Sequence, residues 1–122
     1  MSRLRHIFLL LFVTSIMISC QDQPSQETSP AVLRLTLSGP AKRFCSGIWV
    51  SEREREEALY NSVLWNEQLV SDYEAGKLSF KVEESKRVVT ASREGVSASA
   101  RFFGDQGCVI LRPETDKPMF VP

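Results

Sequence analysis

Two periodicities divide the chain. From Leu78 onward the apolar positions alternate: Leu78, Phe80 and Val82 interleave with Ser79, Lys81 and Glu83, as a half-buried strand requires. Glu84-Ser85-Lys86 offers a turn, and the β-branched run Val88-Val89-Thr90 makes the return strand. Gly95 marks the next turn, after which Val96, Ala98, Ala100 and Phe102 alternate again. Gly104-Asp105-Gln106-Gly107 then turns the chain into a short apolar strand, Cys108 to Leu111. Upstream the period is longer. Ala58, Leu59, Ser62, Val63, Asn66, Leu69, Val70 and Tyr73 recur at spacings of three and four, the stripe of a helix facing a sheet, with Gly76 as its stop. Ser51-Glu52-Arg53-Glu54 reads as a capping box for that helix, which is expected from about Glu52 as one long segment or two short ones. Before it, Leu33, Leu35 and Leu37 share one face of an expected strand, Ala31 to Leu37. Ser38-Gly39-Pro40 breaks it, and Phe44 to Val50 is expected as a second short strand. The order is β-β-α-β-β-β-β: an α+β domain with one main helix on a small, mostly antiparallel sheet.

The N-terminus follows other rules. Arg3 and Arg5 precede an uncharged apolar run, Ile7 to Ile18, of about twelve residues. A bilayer-spanning helix needs roughly 20, and a secretory signal core about 7–15, so the run is read as an export signal. Met17-Ile18-Ser19-Cys20 resembles a bacterial lipobox, in which Cys20 takes a diacylglyceryl group and becomes the new N-terminus. Gln21 to Pro30 contains no apolar side chain other than proline rings and reads as a flexible tether. Gln21, rather than an aspartate, points to outer-membrane sorting on the periplasmic side. An ordinary cleaved signal with Cys20 as a spare thiol is the alternative.

Charge narrows the partners. The chain holds fifteen basic and fifteen acidic residues, and Arg3 and Arg5 leave with residues 1–19 while no acid does. Thirteen positive side chains then face fifteen negative ones, a net charge of −2. That balance, spread along the chain, gives no electrostatic footprint for nucleic acid. The lipid is the expected membrane contact. The single histidine, His6, is also lost, which removes Ser-His-Asp and Cys-His catalysis. No phosphate-binding glycine loop is present, and Cys45 and Cys108 with carboxylates make a poor zinc set. Neither a metal nor a cofactor is expected. The adjacent pairs Glu56-Glu57 and Glu83-Glu84 read as solvated faces rather than acid–base pairs.

With Cys20 assigned to lipid, Cys45 and Cys108 remain. Each could be a reactive thiol, but neither has a base to lower its pKa, and an exported pair is expected to be oxidised to a disulfide.

The two cysteine segments also carry a resemblance. Phe44-Cys45-Ser46-Gly47-Ile48-Trp49-Val50-Ser51, then Arg53, Glu56, Glu57, Ala58, Leu59, Asn61, Ser62 and Val63, resembles a region of exported bacterial β-lactamase-related serine hydrolases. Val88, Thr90 and Ala91 match a hairpin of that region. Ala100 to Ile110, with its Gly-Asp-Gln-Gly-Cys string, matches the segment that closes it. In those proteins, penicillin-binding-protein-like esterases and aminohexanoate-dimer hydrolases among them, the region precedes a catalytic domain. That domain works through a Ser-x-x-Lys nucleophile with a Tyr-x-Asn or Ser-x-Asn partner. Here Ser46, Ser51 and the seven serines after them lack a lysine three positions on. Tyr60 and Tyr73 lack the following asparagine. No catalytic residue carries over.

The resemblance therefore implies a non-catalytic, lipid-anchored N-terminal region of such a hydrolase, in a truncated or split product. Its partner would be a serine hydrolase catalytic domain, in cis or in trans. Four parts are expected: a signal peptide over 1–19, a tether over 20–30, the α+β domain over 31–111 and a linker-like segment over 112–122. The alternative is a stand-alone envelope lipoprotein acting as a small binding module. In that case Trp49, Trp65, Phe102 and Phe103 matter as exposed aromatics, against a core role expected for Trp49 and Phe102.

Overall fold

Ser29 and Pro30 start the fold. The Ser29 hydroxyl accepts from the Val32 amide at 3.3 Å, and Pro30 occupies the first helical position, where a missing N–H costs nothing. The computed structural model describes residues 28–113 together with Thr115, Lys117 and Pro118; the apolar run over 7–18 and Cys20 lie outside the described residues. The order is α1 (Pro30–Trp49), α2 (Arg55–Ser62), α3 (Glu67–Glu74), β1 (Ser79–Glu83), β2 (Val88–Arg93), β3 (Val96–Phe102) and β4 (Cys108–Ile110). The four strands form one antiparallel sheet in sequence order, so the molecule is an α+β domain.

The first half differs from the expected pattern. The two strands expected over 31–37 and 44–50 are a single helix, α1. Leu33, Leu37, Ala41, Phe44 and Cys45 recur at three and four and are all buried on one face, whereas Leu35, the residue that mimicked alternation, is 75 % exposed. Pro40, expected as a breaker, lies inside the helix. It cannot donate to Thr36, a loss worth about 3 kcal/mol in an exposed helix, but its ring is buried on the packed face between Leu37 and Phe44. Burial of that face outweighs the local rule. The Ser51 to Glu54 capping box does not form: α2 starts at Arg55 with Glu54 as its N-cap and no side-chain bond. The stripe from Ala58 to Tyr73 is two short helices, because Asn66 leaves the helical pattern and caps α3, its Oδ1 accepting from the Leu69 amide at 2.9 Å.

The second half follows its alternation. Glu94 and Gly95 both have positive φ, 51° and 75°, and form the two-residue turn between β2 and β3 whose twist suits a hairpin. On the face turned to α1 the central strands carry Val89 and Ala91, paired with Ala100 and Ala98. These alanines let α1 lie close on β2 and β3, and the larger Leu37 and Phe44 fill the remaining space. Phe44 meets Phe80 of β1 edge to face at 5.5 Å, and Tyr73 of α3 lies 6.2 Å from the same ring. Truncating Phe44 to alanine would cost about 3–5 kcal/mol. The opposite face is mixed: Thr90 and Ser99 share a hydrogen bond of 2.8 Å across β2 and β3, and Val88 and Val109 are buried on either side of Arg101.

Two covalent or charged ties hold helices to strands. Cys45 and Cys108 are disulfide-bonded, with Cα atoms 6.0 Å apart, joining α1 to β4 across 63 residues of sequence. Asp72 of α3 is buried and accepts from Arg93 of β2 and, at 2.9 Å, from Gln68 Nε2. It acts as the pin between α3 and the β2–β3 turn.

In the chain-entropy model a loop of this length is worth about 4 kcal/mol to the folded state. For a domain of this size that corresponds to a fall of roughly 15 °C or more in melting temperature on reduction or in Cys45→Ala/Cys108→Ala. Coincident melting curves of the oxidised and reduced forms would remove the disulfide from this account. Asp72→Ala should cost about 2–4 kcal/mol by leaving the Arg93 guanidinium, which is only partly exposed, without its carboxylate. The double variant Asp72→Leu/Arg93→Met should cost less than the single one. Denaturant unfolding of the three proteins checks that order.

Candidate functional site

The segments that carried the resemblance come together at the disulfide. Cys45 sits on the buried face of α1, and Cys108 opens β4. The Gly-Asp-Gln-Gly string between β3 and β4 has a conformational reason. Gly104 and Gly107 have φ of 59° and 69°, and one turn of 3-10 helix runs over Gly104–Gln106. Phe103 N–H donates to Gly107 carbonyl at 2.9 Å and Gly107 N–H to Gly104 carbonyl at 3.0 Å. Both glycines take the left-handed region, which side chains resist, so the string builds a tight turn that delivers Cys108 to α1. Its chemistry is architectural.

The other candidate residues separate. Glu83 and Glu84 face different partners: Glu84 pairs with Arg55, and Glu83 lies 3.4 Å from Lys81 and 3.6 Å from Lys86. Lys81 first and Lys86 second hold the Glu83 carboxyl below its usual pKa, so it stays an anion between two cations. Glu56 and Glu57 lie exposed in the first turn of α2, where acids suit the helix dipole, and Glu57 is 3.8 Å from Arg53. Trp49 and Phe102 are partly buried and pack on the core. Phe103 lies under the Arg101 guanidinium, 5.3 Å from its carbon to the ring centre. Trp65 stands apart, 66 % exposed between α2 and α3, at the lip of a shallow hollow that includes Leu64, Val70, Glu67 and Glu74.

Two larger concave surfaces lie among the described residues. A cleft of about 670 Å³ opens beside the sheet where β4 ends after three residues while β3 runs for seven. Ala31, Arg34 and Leu35 of α1, Ser97 and Ala98 of β3, and Ile110 of β4 are among its walls. Past Ile110 the chain continues this edge only briefly: Leu111 N–H donates to Ser99 carbonyl at 2.9 Å and Leu111 bridges to Pro118. The other is a groove of about 490 Å³ between α1 and α2, flanked by Lys42, Arg43 and Arg53. Sequence reading passed over Lys42 and Arg43 because they fell between two expected strands; on one helix they share an exposed turn.

Among the described residues no group of three or more histidine, cysteine or carboxylate side chains could hold a metal, and no helix is long and apolar enough to cross a membrane. The chain matches no family model, no curated protein and no solved structure.

The groove depends on how closely the two helices approach. A Cβ on Gly47 would meet the Ala58 Cβ at 2.9 Å and the Ser62 hydroxyl at 3.3 Å. Gly47→Ala should therefore destabilise by about 1–3 kcal/mol despite alanine's better helix propensity. A rise in melting temperature for that variant would contradict the close crossing.

Proposed function

We propose that this chain is the lipid-anchored, non-catalytic portion of an exported serine hydrolase related to β-lactamases, on the periplasmic side of the cell envelope. Its role is to pack against the hydrolase domain or shape its entrance. The observation that carries the packing role is, among the described residues, the cleft at the edge of β3 beyond β4, into which the exposed Leu35 of α1 is set. Leu35 of α1, 75 % exposed, lines that cleft next to a strand edge that β4 covers for only part of its length. Exposed apolar side chains beside an open sheet edge are a liability in a free-standing domain and an asset under a further layer of polypeptide. The meeting of residues 44–51 and 100–110 at one disulfide supports treating both segments of the resemblance as a single unit.

A second reading has its own observation. The exposure of Trp65 suits a stand-alone envelope lipoprotein that binds a partner through that ring. Phe103 is not among the walls of the hollow at Trp65, so one aromatic carries this reading.

Reading the gene past the codon for Pro122 tests the first reading. A Ser-x-x-Lys reading frame there, continuous or one frameshift away, is the expected result, and its absence moves the assignment to the stand-alone lipoprotein. The anchor is tested separately: Cys20→Ala should move the protein from the membrane to the soluble fraction of fractionated cells. Membrane retention of that variant would overturn lipidation.

A further inference from the structure

The groove between α1 and α2 has an electrostatic character that the domain as a whole lacks. Three cations border it, Lys42 and Arg43 from α1 and Arg53 from the connection, and no carboxylate lines it among the described residues. Arg53 also reaches Glu57 at 3.8 Å; Lys42 and Arg43 make no ion pair among the described residues and are exposed. Residues with neutral donors line the same space: Ser46, Ser51, Ser62 and Asn61. The nearby helix carbonyls are already used. Ser46 carbonyl accepts from Val50 and Ser51, and Gly47 carbonyl from Arg53.

Two guanidinium forks, an ammonium, three hydroxyls and an amide offer more donors than the two oxygens of a carboxylate can use. A phosphate, with more acceptor oxygens and a charge that suits guanidinium forks, fits this set better. Its source follows from the anchor reading, on which this inference rests. Eight residues, 21–28, lie between Cys20 and Ser29, and at about 3.3–3.6 Å per residue the segment spans at most roughly 30 Å. A domain held that close to a bilayer meets lipid phosphates at high local concentration.

We propose that this groove binds the phosphate of an anionic lipid headgroup, so that the domain lies against the membrane with α1 and α2 toward it. The test uses the full chain in a neutral detergent, with backbone amide NMR signals as the readout. It is titrated with phosphatidylglycerol added to the micelles and, separately, with inorganic phosphate. The expected result is that phosphatidylglycerol shifts the amides of Lys42, Arg43, Ser46 and Asn61 while inorganic phosphate at matched concentration does not. At roughly fivefold per basic residue near an anionic surface, Lys42→Glu/Arg43→Glu should raise the midpoint at least tenfold. The matched variant Lys77→Glu/Lys117→Glu, with the same net charge and cations outside the groove, should change it less than threefold. Equal shifts with inorganic phosphate would overturn the membrane source in favour of a soluble phosphate ligand. No shift in the groove, or equal weakening by both variants, would overturn the site. Intact mass of the chain recovered from cells reports acylation of Cys20 independently, so failure of the anchor and failure of the groove are read apart.

Discussion

Everything in this domain depends on α1 lying low on the alanine strip of β2 and β3. The strip is flat because Ala91, Ala98 and Ala100 carry no bulk, and it is long because two seven- and six-residue strands pair in register across it. Only a helix with its large residues on one face can fill such a floor. Leu33, Leu37 and Phe44 do so, and Ala41 and Cys45 are fully buried among them. Once α1 is seated, the rest is positioned from it. Gly47 sets α2 beside it, the disulfide fixes β4 at the sheet's edge, and Asp72 ties α3 to the end of β2.

The sheet could be read from the residues because its determinants are local. Alternation from Leu78, the turn at Gly95 and the glycines at 104 and 107 each act within a few residues of where they appear, and each strand ends where its turn chemistry says. The helical half was harder to read for a physical reason. A three-leucine stretch, Leu33, Leu35 and Leu37, satisfies a period of two over its own length, and only the positions out to Cys45 decide for 3.6. Pro40 was a valid local objection to a helix, and tertiary burial overrode it. Ser29-Pro30 did announce the start of α1, but inside a stretch whose polarity read as tether.

Something similar holds for the sites. The disulfide was legible by counting, because two cysteines left over after one is assigned elsewhere have few chemical fates. The basic groove was not, since Lys42, Arg43 and Arg53 converge only after α1 is recognised as one helix and turns back into α2. The resemblance to serine hydrolases rested most on Gly-Asp-Gln-Gly-Cys, and the fold gives that string an architectural cause: two left-handed glycines and a half-cystine. The hydrolase reading remains a proposal.

The topology places the helices first and the strands last, and this has a consequence for how the domain is made. α1 finds its floor only on strands made about fifty residues later, and its covalent tie lies at the far end of the sheet. A chain crossing a membrane from its N-terminus would deliver α1 with Leu33, Leu37 and Phe44 uncovered until β3 followed. The hairpins of the sheet close early and locally, whereas seating α1 waits on long-range contact. Cys45 would spend that interval as an unpaired thiol, because its partner arrives only with β4, the last strand of the sheet. A lipid on Cys20 would then do more than anchor the chain: it would leave Cys45 a single partner to find.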